Sequence, residues 1–150
     1  MSDFENITDD ELLRLRQIRG GEYLSALRNE RNLTQRTVAA RLAISFQYLS
    51  EIEKAKKSPS DLLIRELAEI YELDIEGEVD LYHRYGRIPL PTMEELKEQE
   101  STHLVLAQLG QLVKTGKMTD EQRQEFYTEF DRMYRDFIAR VLPSKEDGKL

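Results

Sequence analysis

The side chains of this chain that could act on a charged or polar partner gather between Arg28 and Lys57. That stretch holds Arg28, Arg31, Arg36, Arg41, Lys54, Lys56 and Lys57 against Glu30, Glu51 and Glu53, a net charge of +4. Its surroundings are acidic, with −3 over residues 1–27 and −8 over residues 58–150, so the 150-residue chain as a whole carries −7. A basic block inside an acidic chain is what neutralising a phosphate backbone requires. Between the cations lie aromatic and amide side chains, Phe46 and Gln47 among them. From charge alone, a chance fluctuation of surface residues would account for the block equally well.

Other chemistry is poorly represented. There is no cysteine, which excludes disulfides, zinc–thiolate sites and thiol catalysis and suits a reducing cytoplasm. His83 and His103 stand in separate segments without a carboxylate cluster at metal-ligand spacing, so a metal site is not expected. Asp9-Asp10-Glu11 and Glu94-Glu95 read as charges that suit a helix start, not as acid/base pairs. No phosphate-binding glycine loop or nucleophile elbow is present, and neither an enzyme nor a cofactor is expected. No apolar run approaches the ~18 residues of a membrane span. The opening residues, Met1 to Asp10, are acidic and do not fit a signal or transit peptide.

The elements that must position the basic block all read as helices. Apolar residues recur at helical rather than strand spacing, and no Asn-Gly or Asp-Gly hairpin turn occurs. Thr8 with Glu11 forms a capping-box pair that opens a helix to about Ile18, with Leu12, Leu13, Leu15 and Ile18 as its apolar positions. Gly20-Gly21 is expected to break or kink it, and a second helix follows over residues 22–31 with Tyr23, Leu24 and Leu27 on one face. Thr34, Ser45, Ser60 and Asp74 are N-caps for four short helices, and Gly86 is a left-handed helix end. Arg87-Ile88-Pro89-Leu90-Pro91 reads as a linker. Thr92 with Glu95 is a second capping box, opening a helical region to about Lys114 with a possible interruption near Ser101-Thr102. Thr119 with Gln122 is a third, opening a helix that runs to Val141. Residues 143–150 read as a flexible tail.

Within residues 33–60, two helices of roughly eight to ten residues are joined by about three residues. Small Ala39 and Ala40 let the second helix approach the first, and Leu42, Ile44, Leu49 and Ile52 make a shared apolar seam. The opposite face of the second helix then carries Phe46, Gln47, Ser50, Glu51 and Lys54 at i, i+3 and i+4 spacing. An exposed helix of this kind can enter the major groove.

The segment resembles the phage-repressor (Cro/C1, XRE) helix-turn-helix family. The matching residues are Leu33-Thr34-Gln35, Ala39-Ala40-x-Leu42, Ile44-Ser45, Tyr48-Leu49-Ser50-x-Ile52-Glu53 and Lys56-Lys57-x-Pro59-Ser60, with Leu63 and Leu67-Ala68 behind. The likeness covers about residues 21–85. It departs at Ala43 and Ala55, where the family usually has glycine, and at Glu51, where a cation or amide is common.

The resemblance implies an all-α chain: a five-helix, lambda-repressor-like helix-turn-helix domain over 21–88, preceded by a helical extension over 1–20. It implies a transcriptional regulator, most commonly a repressor, that binds double-stranded DNA. Phe46, Gln47, Ser50 and Glu51 would read bases through a recognition helix at about 45–54. Gln35, Arg36, Ser45, Tyr48, Lys54, Lys56 and Lys57 would contact phosphates. Phe46 could instead fold back into the core, Glu51 could pair with Arg41 or Lys54, and Glu53 suits an internal contact better than a base.

Residues 92–142 carry two apolar stripes. One holds Leu106, Leu109 and Leu112 or Val113. The other holds Phe126, Phe130, Met133, Phe137 and Val141 at spacings of 4, 3, 4 and 4. Near-heptad spacing suits a C-terminal helical hairpin or a dimerisation bundle. Leu106, Leu109, Phe126, Phe130, Met133, Phe137 and Val141 are the candidate dimerisation residues, in a homodimer reading a palindromic operator. The stripes could otherwise pack within the chain, or receive an effector peptide, a small ligand or an antirepressor. A different reading is the DNA-binding antitoxin of a toxin–antitoxin pair, its acidic half binding a basic toxin.

Overall fold

The computed structural model describes residues 6–142. The expected tail over 143–150 lies outside the described residues. Among them are eight helices: α1 (Asp9–Glu30), α2 (Gln35–Leu42), α3 (Phe46–Glu53), α4 (Asp61–Ile70), α5 (Ile75–Arg84), α6 (Leu90–Lys97), α7 (Glu100–Lys114) and α8 (Asp120–Val141). The fold is all-α. It divides into two units, Met1–Lys97 and Glu98–Leu150.

Each start of α1 to α5 is written locally. Thr8, Thr34, Ser45, Ser60 and Asp74 each accept from the backbone N–H three residues on, and Thr8 and Glu11 complete a reciprocal capping box. These contacts satisfy amides that the first turn leaves without a partner. The ends are equally regular. Asn32, Ala43, Ala55, Glu72 and Gly86 follow the five helices in turn, all with φ between 52° and 66°. In each case the next residue's N–H reaches back to a carbonyl five residues earlier, as Leu33 does to Arg28 at 3.2 Å and Ile44 to Ala39 at 3.1 Å. This is the Schellman closure. The apolar residues that carry the returning N–H, Leu33, Ile44 and Leu73, pack against the core.

That core is formed by Leu24 and Leu27 of α1, Val38, Ala39 and Leu42 of α2, Leu49 and Ile52 of α3, Leu63, Ile64 and Leu67 of α4, and Leu81 and Tyr82 of α5, with Tyr71 and Tyr85. Ala40, expected to help α3 approach, faces outward, and Ala39 alone is buried. The N-terminal half of α1 also contributes less than its composition suggests, since Leu12, Leu13 and Leu15 are each more than a third exposed.

Three expectations are corrected. Gly20-Gly21 does not break the chain into two helices: α1 runs continuously from Asp9 to Glu30, so the expected division between an extension 1–20 and a domain from 21 falls in mid-helix. The glycines are there for close approach. A Cβ on Gly20 would lie 2.1 Å from Cζ of Tyr85, and one on Gly21 would lie 2.6 Å and 2.8 Å from the carbonyl oxygens of Glu53 and Ile52. Packing against the bare face offsets the roughly 1 kcal/mol by which glycine weakens a helix relative to alanine.

Secondly, the proline segment is only half a linker, because α6 begins at Leu90 and takes Pro91 into its first turn. Proline is tolerated there, where its missing N–H is not needed. Thr92 therefore sits inside α6 and does not cap it. Arg65 of α4 holds α6 through Glu94, at 2.9 Å and 3.1 Å, and also approaches Glu78 at 3.7 Å. Thirdly, the interruption falls at residues 98–99, between α6 and α7, and not near Ser101-Thr102.

The second unit consists of α7 and α8 among the described residues. Thr119 and Gln122 form the reciprocal capping box of α8, and Gly116 closes α7 with φ of 73°. Leu109 is its one buried apolar side chain.

Two substitutions test the backbone reading. Ala43 is exposed and left-handed, so Ala43→Gly removes Cβ strain without opening a cavity. It is expected to raise the unfolding free energy by about 1 kcal/mol in a urea titration. Gly21→Ala would stabilise an isolated helix but here meets backbone, so a net loss of about 1–3 kcal/mol is expected in the same titration.

Candidate nucleic-acid interface

The site is built on α2 and α3 and the turn Ala43–Ile44–Ser45 between them. Val38, Ala39 and Leu42 of α2 and Leu49 and Ile52 of α3 are buried together, and Ile44 packs against them. Burying that side of α3 turns Phe46 and Gln47 outward at its first turn, with Ser50 and Glu51 half-buried one turn on.

The orientation of α3 is held by one carboxylate. Glu53, the last residue of α3, is 8% exposed. It accepts from Nε of Arg28 of α1 at 2.7 Å and from Nε2 of Gln35, the first residue of α2. Arg28 also donates to the carbonyl of Leu33 at 2.9 Å. Three helices thus converge on one anion. Tyr71 is buried beside the group; desolvation, reinforced by the Glu53 charge, pushes its hydroxyl well above the ordinary tyrosine range. It stays neutral there. On the other side, Gly21 lets α1 rest against the carbonyls of Ile52 and Glu53.

The segment after α3 is strapped from two directions. Arg14 of α1 donates to the carbonyl of Ala55. Arg87, beyond α5, donates to the carbonyl of Pro59, to Ser58 Oγ at 2.9 Å and to Asp61 at 3.1 Å. Arg14 and Arg87 did not stand out as parts of the site in the sequence, and Arg28 did so only as one cation of the basic block, not as the partner of Glu53. Their partners lie 41, 28 and 25 residues away, so no local spacing could have singled them out.

The candidate contact residues fall as follows. Phe46 is 44% exposed, and does not enter the core; the Arg36 guanidinium lies 4.8 Å from its ring centroid. Gln47 is exposed. Glu51 pairs with Lys57 at 3.2 Å, not with Arg41 or Lys54. The Lys57 ammonium also lies 5.6 Å from the Tyr48 ring centroid. Lys54 and Lys56 are exposed. The Ser45 hydroxyl caps α3, accepting from the N–H of Tyr48 at 3.0 Å. The Gln35 amide is committed to Glu53, so what α2 can offer a phosphate is the positive end of its first turn. Phe46, Arg36 and the start of α2 border one open groove, and Lys54, Lys56 and Lys57 flank the far end of α3. Such an arrangement offers aromatic and amide groups to base edges and cations to phosphates.

Breaking a buried ion pair from one side leaves an uncompensated charge. Glu53→Ala is therefore expected to cost about 3 kcal/mol of unfolding free energy, read by chemical denaturation. A loss within experimental scatter would show that the carboxylate is not the tie described here.

Comparison with known proteins agrees with this geometry. Residues 24–77 match the helix-turn-helix family profile. Over 49 residues the chain is 41% identical to an uncharacterized HTH-type transcriptional regulator, y4dJ, of Sinorhizobium fredii (strain NBRC 101917 / NGR234); the match covers 33% of this chain and 64% of that relative, just under two thirds of its length. No solved structure matches the chain. The profile match spans the second half of α1, the whole of α2, α3 and α4, and the start of α5. Over residues 24–77 the chain is thus similar to helix-turn-helix regulators, in keeping with the phage-repressor-type (XRE) resemblance of its sequence.

Proposed function

We propose that the protein is a sequence-specific, DNA-binding transcriptional regulator of the cytoplasm, acting as a dimeric repressor on a palindromic operator. The observation that carries this reading is the division of α3 into two faces. One is buried by Leu49, Ile52 and Glu53; the other presents Phe46 and Gln47, with lysines at its far end. Phe46, Gln47, Ser50 and Glu51 are assigned to base edges. Arg36, Ser45, Tyr48, Lys54, Lys56 and Lys57, with the first turn of α2, are assigned to phosphates.

Lys57 neutralises part of the Glu51 charge at 3.2 Å, which lowers the cost of bringing a carboxylate against DNA and leaves its second oxygen for a cytosine amino group. Dimerisation is assigned to the second unit, where Phe130, Met133 and Val141 are half or more exposed and Phe137 is 49% exposed. Apolar surface of that extent on a two-helix unit calls for a partner. A two-fold dimer also matches the symmetry of an operator of two half-sites.

The test is selection of binding sites by the full-length protein from a random duplex pool. An enriched inverted repeat with half-sites about one helical turn (~34 Å) apart, or a multiple of it, is expected. Gln47→Ala should change the preferred base at one position per half-site. Lys56→Ala should weaken binding to all sequences and reduce the salt dependence by about one phosphate. No enrichment at low salt would overturn the reading.

A further inference from the structure

The stripe on α8 lies on a helix whose charge is divided along its length. From Asp120 to Asp131 there are five acids and one base; from Arg132 to Val141 there are three bases and one acid, Asp136. The charge changes sign between Asp131 and Arg132, and that point lies between two neighbouring residues of the stripe, Phe130 and Met133. Internal pairing consumes little of this charge. Arg123 pairs with Asp120 at 3.2 Å and Arg135 with Asp131 at 2.8 Å. Glu121, Glu125 and Glu129 remain as a row at i, i+4 and i+8 with no ion-pair partner among the described residues. Like charges in such a row destabilise their own helix. Further on, Arg132 and Arg140 flank the groove that holds Met133 and Phe137.

We infer that two copies of α8 pack antiparallel across a two-fold axis near residues 130–133, the acidic half of each lying along the basic half of the other. This rests on the dimeric reading above and specifies how its two copies meet. The apolar stripe supplies the attraction and the charge division supplies the direction. A parallel pairing would align each glutamate row with its own copy and each arginine with its own copy. Reversing one helix turns both repulsions into attractions while the apolar stripes still meet. An axis that superimposes Phe130 on Met133 of the second copy also lays Phe126 over Phe137, and it brings Glu125 and Glu129 within two residues of the positions of Arg140 and Arg132 of the second copy, so the inner four residues of the stripe and these charges share one centre. Such a surface is self-complementary, as a two-fold interface must be.

The chain has no cysteine, so single introduced cysteines report this geometry directly. Met133 and Val141 are 61% and 50% exposed in the single chain, and neither substitution disturbs its core. In the antiparallel arrangement Met133 lies within about 4 Å, along the axis, of its own counterpart, whereas Val141 lies more than ~25 Å from its own. A disulfide needs the two Cα atoms within about 7 Å.

The experiment is mild oxidation of full-length Met133→Cys and Val141→Cys, run beside light scattering of the reduced proteins. The expected result is a dimer in both, with Met133→Cys linking to itself at least about tenfold faster than Val141→Cys. Equal linking at both positions would mean parallel helices and would overturn the inference. A dimer that links at neither position would place the interface elsewhere, overturning the inference while leaving the dimeric regulator intact. A monomer at all concentrations would remove the dimer itself.

Discussion

The carboxylate of Glu53 is the point on which the first unit turns. It closes α3, receives the guanidinium of α1 and the amide of α2, and is almost fully buried while doing so. An apolar seam brings two helices together but tolerates rotation and sliding, because dispersion has no direction. A charge-assisted hydrogen bond does not. Tying the end of α3 to both neighbours fixes which of its faces looks outward. The cost is desolvation of a charged group, which the arginine and the amide together offset. The cations of the basic block accordingly divide into two populations. Arg28 is turned inward to hold the frame, while Lys54 and Lys56 are left in solvent. Arg14 and Arg87, outside the block, also work inward, on the backbone after α3. Net charge of a segment therefore overstates what it can offer to a partner.

What was legible in the sequence is what short range decides. Each N-cap contact joins residues three apart, so Thr34, Ser45, Ser60 and Asp74 could be read with their helices. The stripe of α8 was equally plain, since helical spacing alone places it on one side. Gly20-Gly21 shows where that reasoning ends. Locally two glycines argue for a break, and only the ring of Tyr85 and the carbonyls of Ile52 and Glu53, all distant in sequence, make them the residues that fit. The start of α6 failed similarly. Two prolines looked like an extended link, yet the second fits a first helical turn. The outward face of α3 was legible from the family likeness and the seam. The partners of Glu51 and Gln35 were not, because they depend on where Lys57 and Glu53 arrive after folding.

The two units differ in how they are completed. In the first, a single chain supplies a core with buried tyrosines and leucines from five helices. Two of those tyrosines, Tyr71 and Tyr85, bury hydroxyls with no hydrogen-bond partner among the described residues, and burial pushes both well above the ordinary tyrosine range. The second unit buries one leucine and leaves most of its apolar side chains in contact with water. Its helices are well capped, yet capping cannot replace a core. Most helical stability in proteins comes from tertiary packing of an apolar face.

The left-handed closures of α1 to α5 have a bearing on how the chain finds its structure. Each helix carries its own start and its own stop within a few residues, and the connections between them are short. The helical segments are thus delimited before any distant contact forms, and the search reduces to docking a few short rods. Chains dominated by such local information fold quickly, because little loop entropy is lost before contacts reward it. Around α3 the exception is the meeting of α1 with its end, where Arg14 and Gly21 must find residues some thirty to forty positions away. That docking carries the largest loop closure around the recognition helix, which makes it the natural last step in assembling the surface that α3 presents.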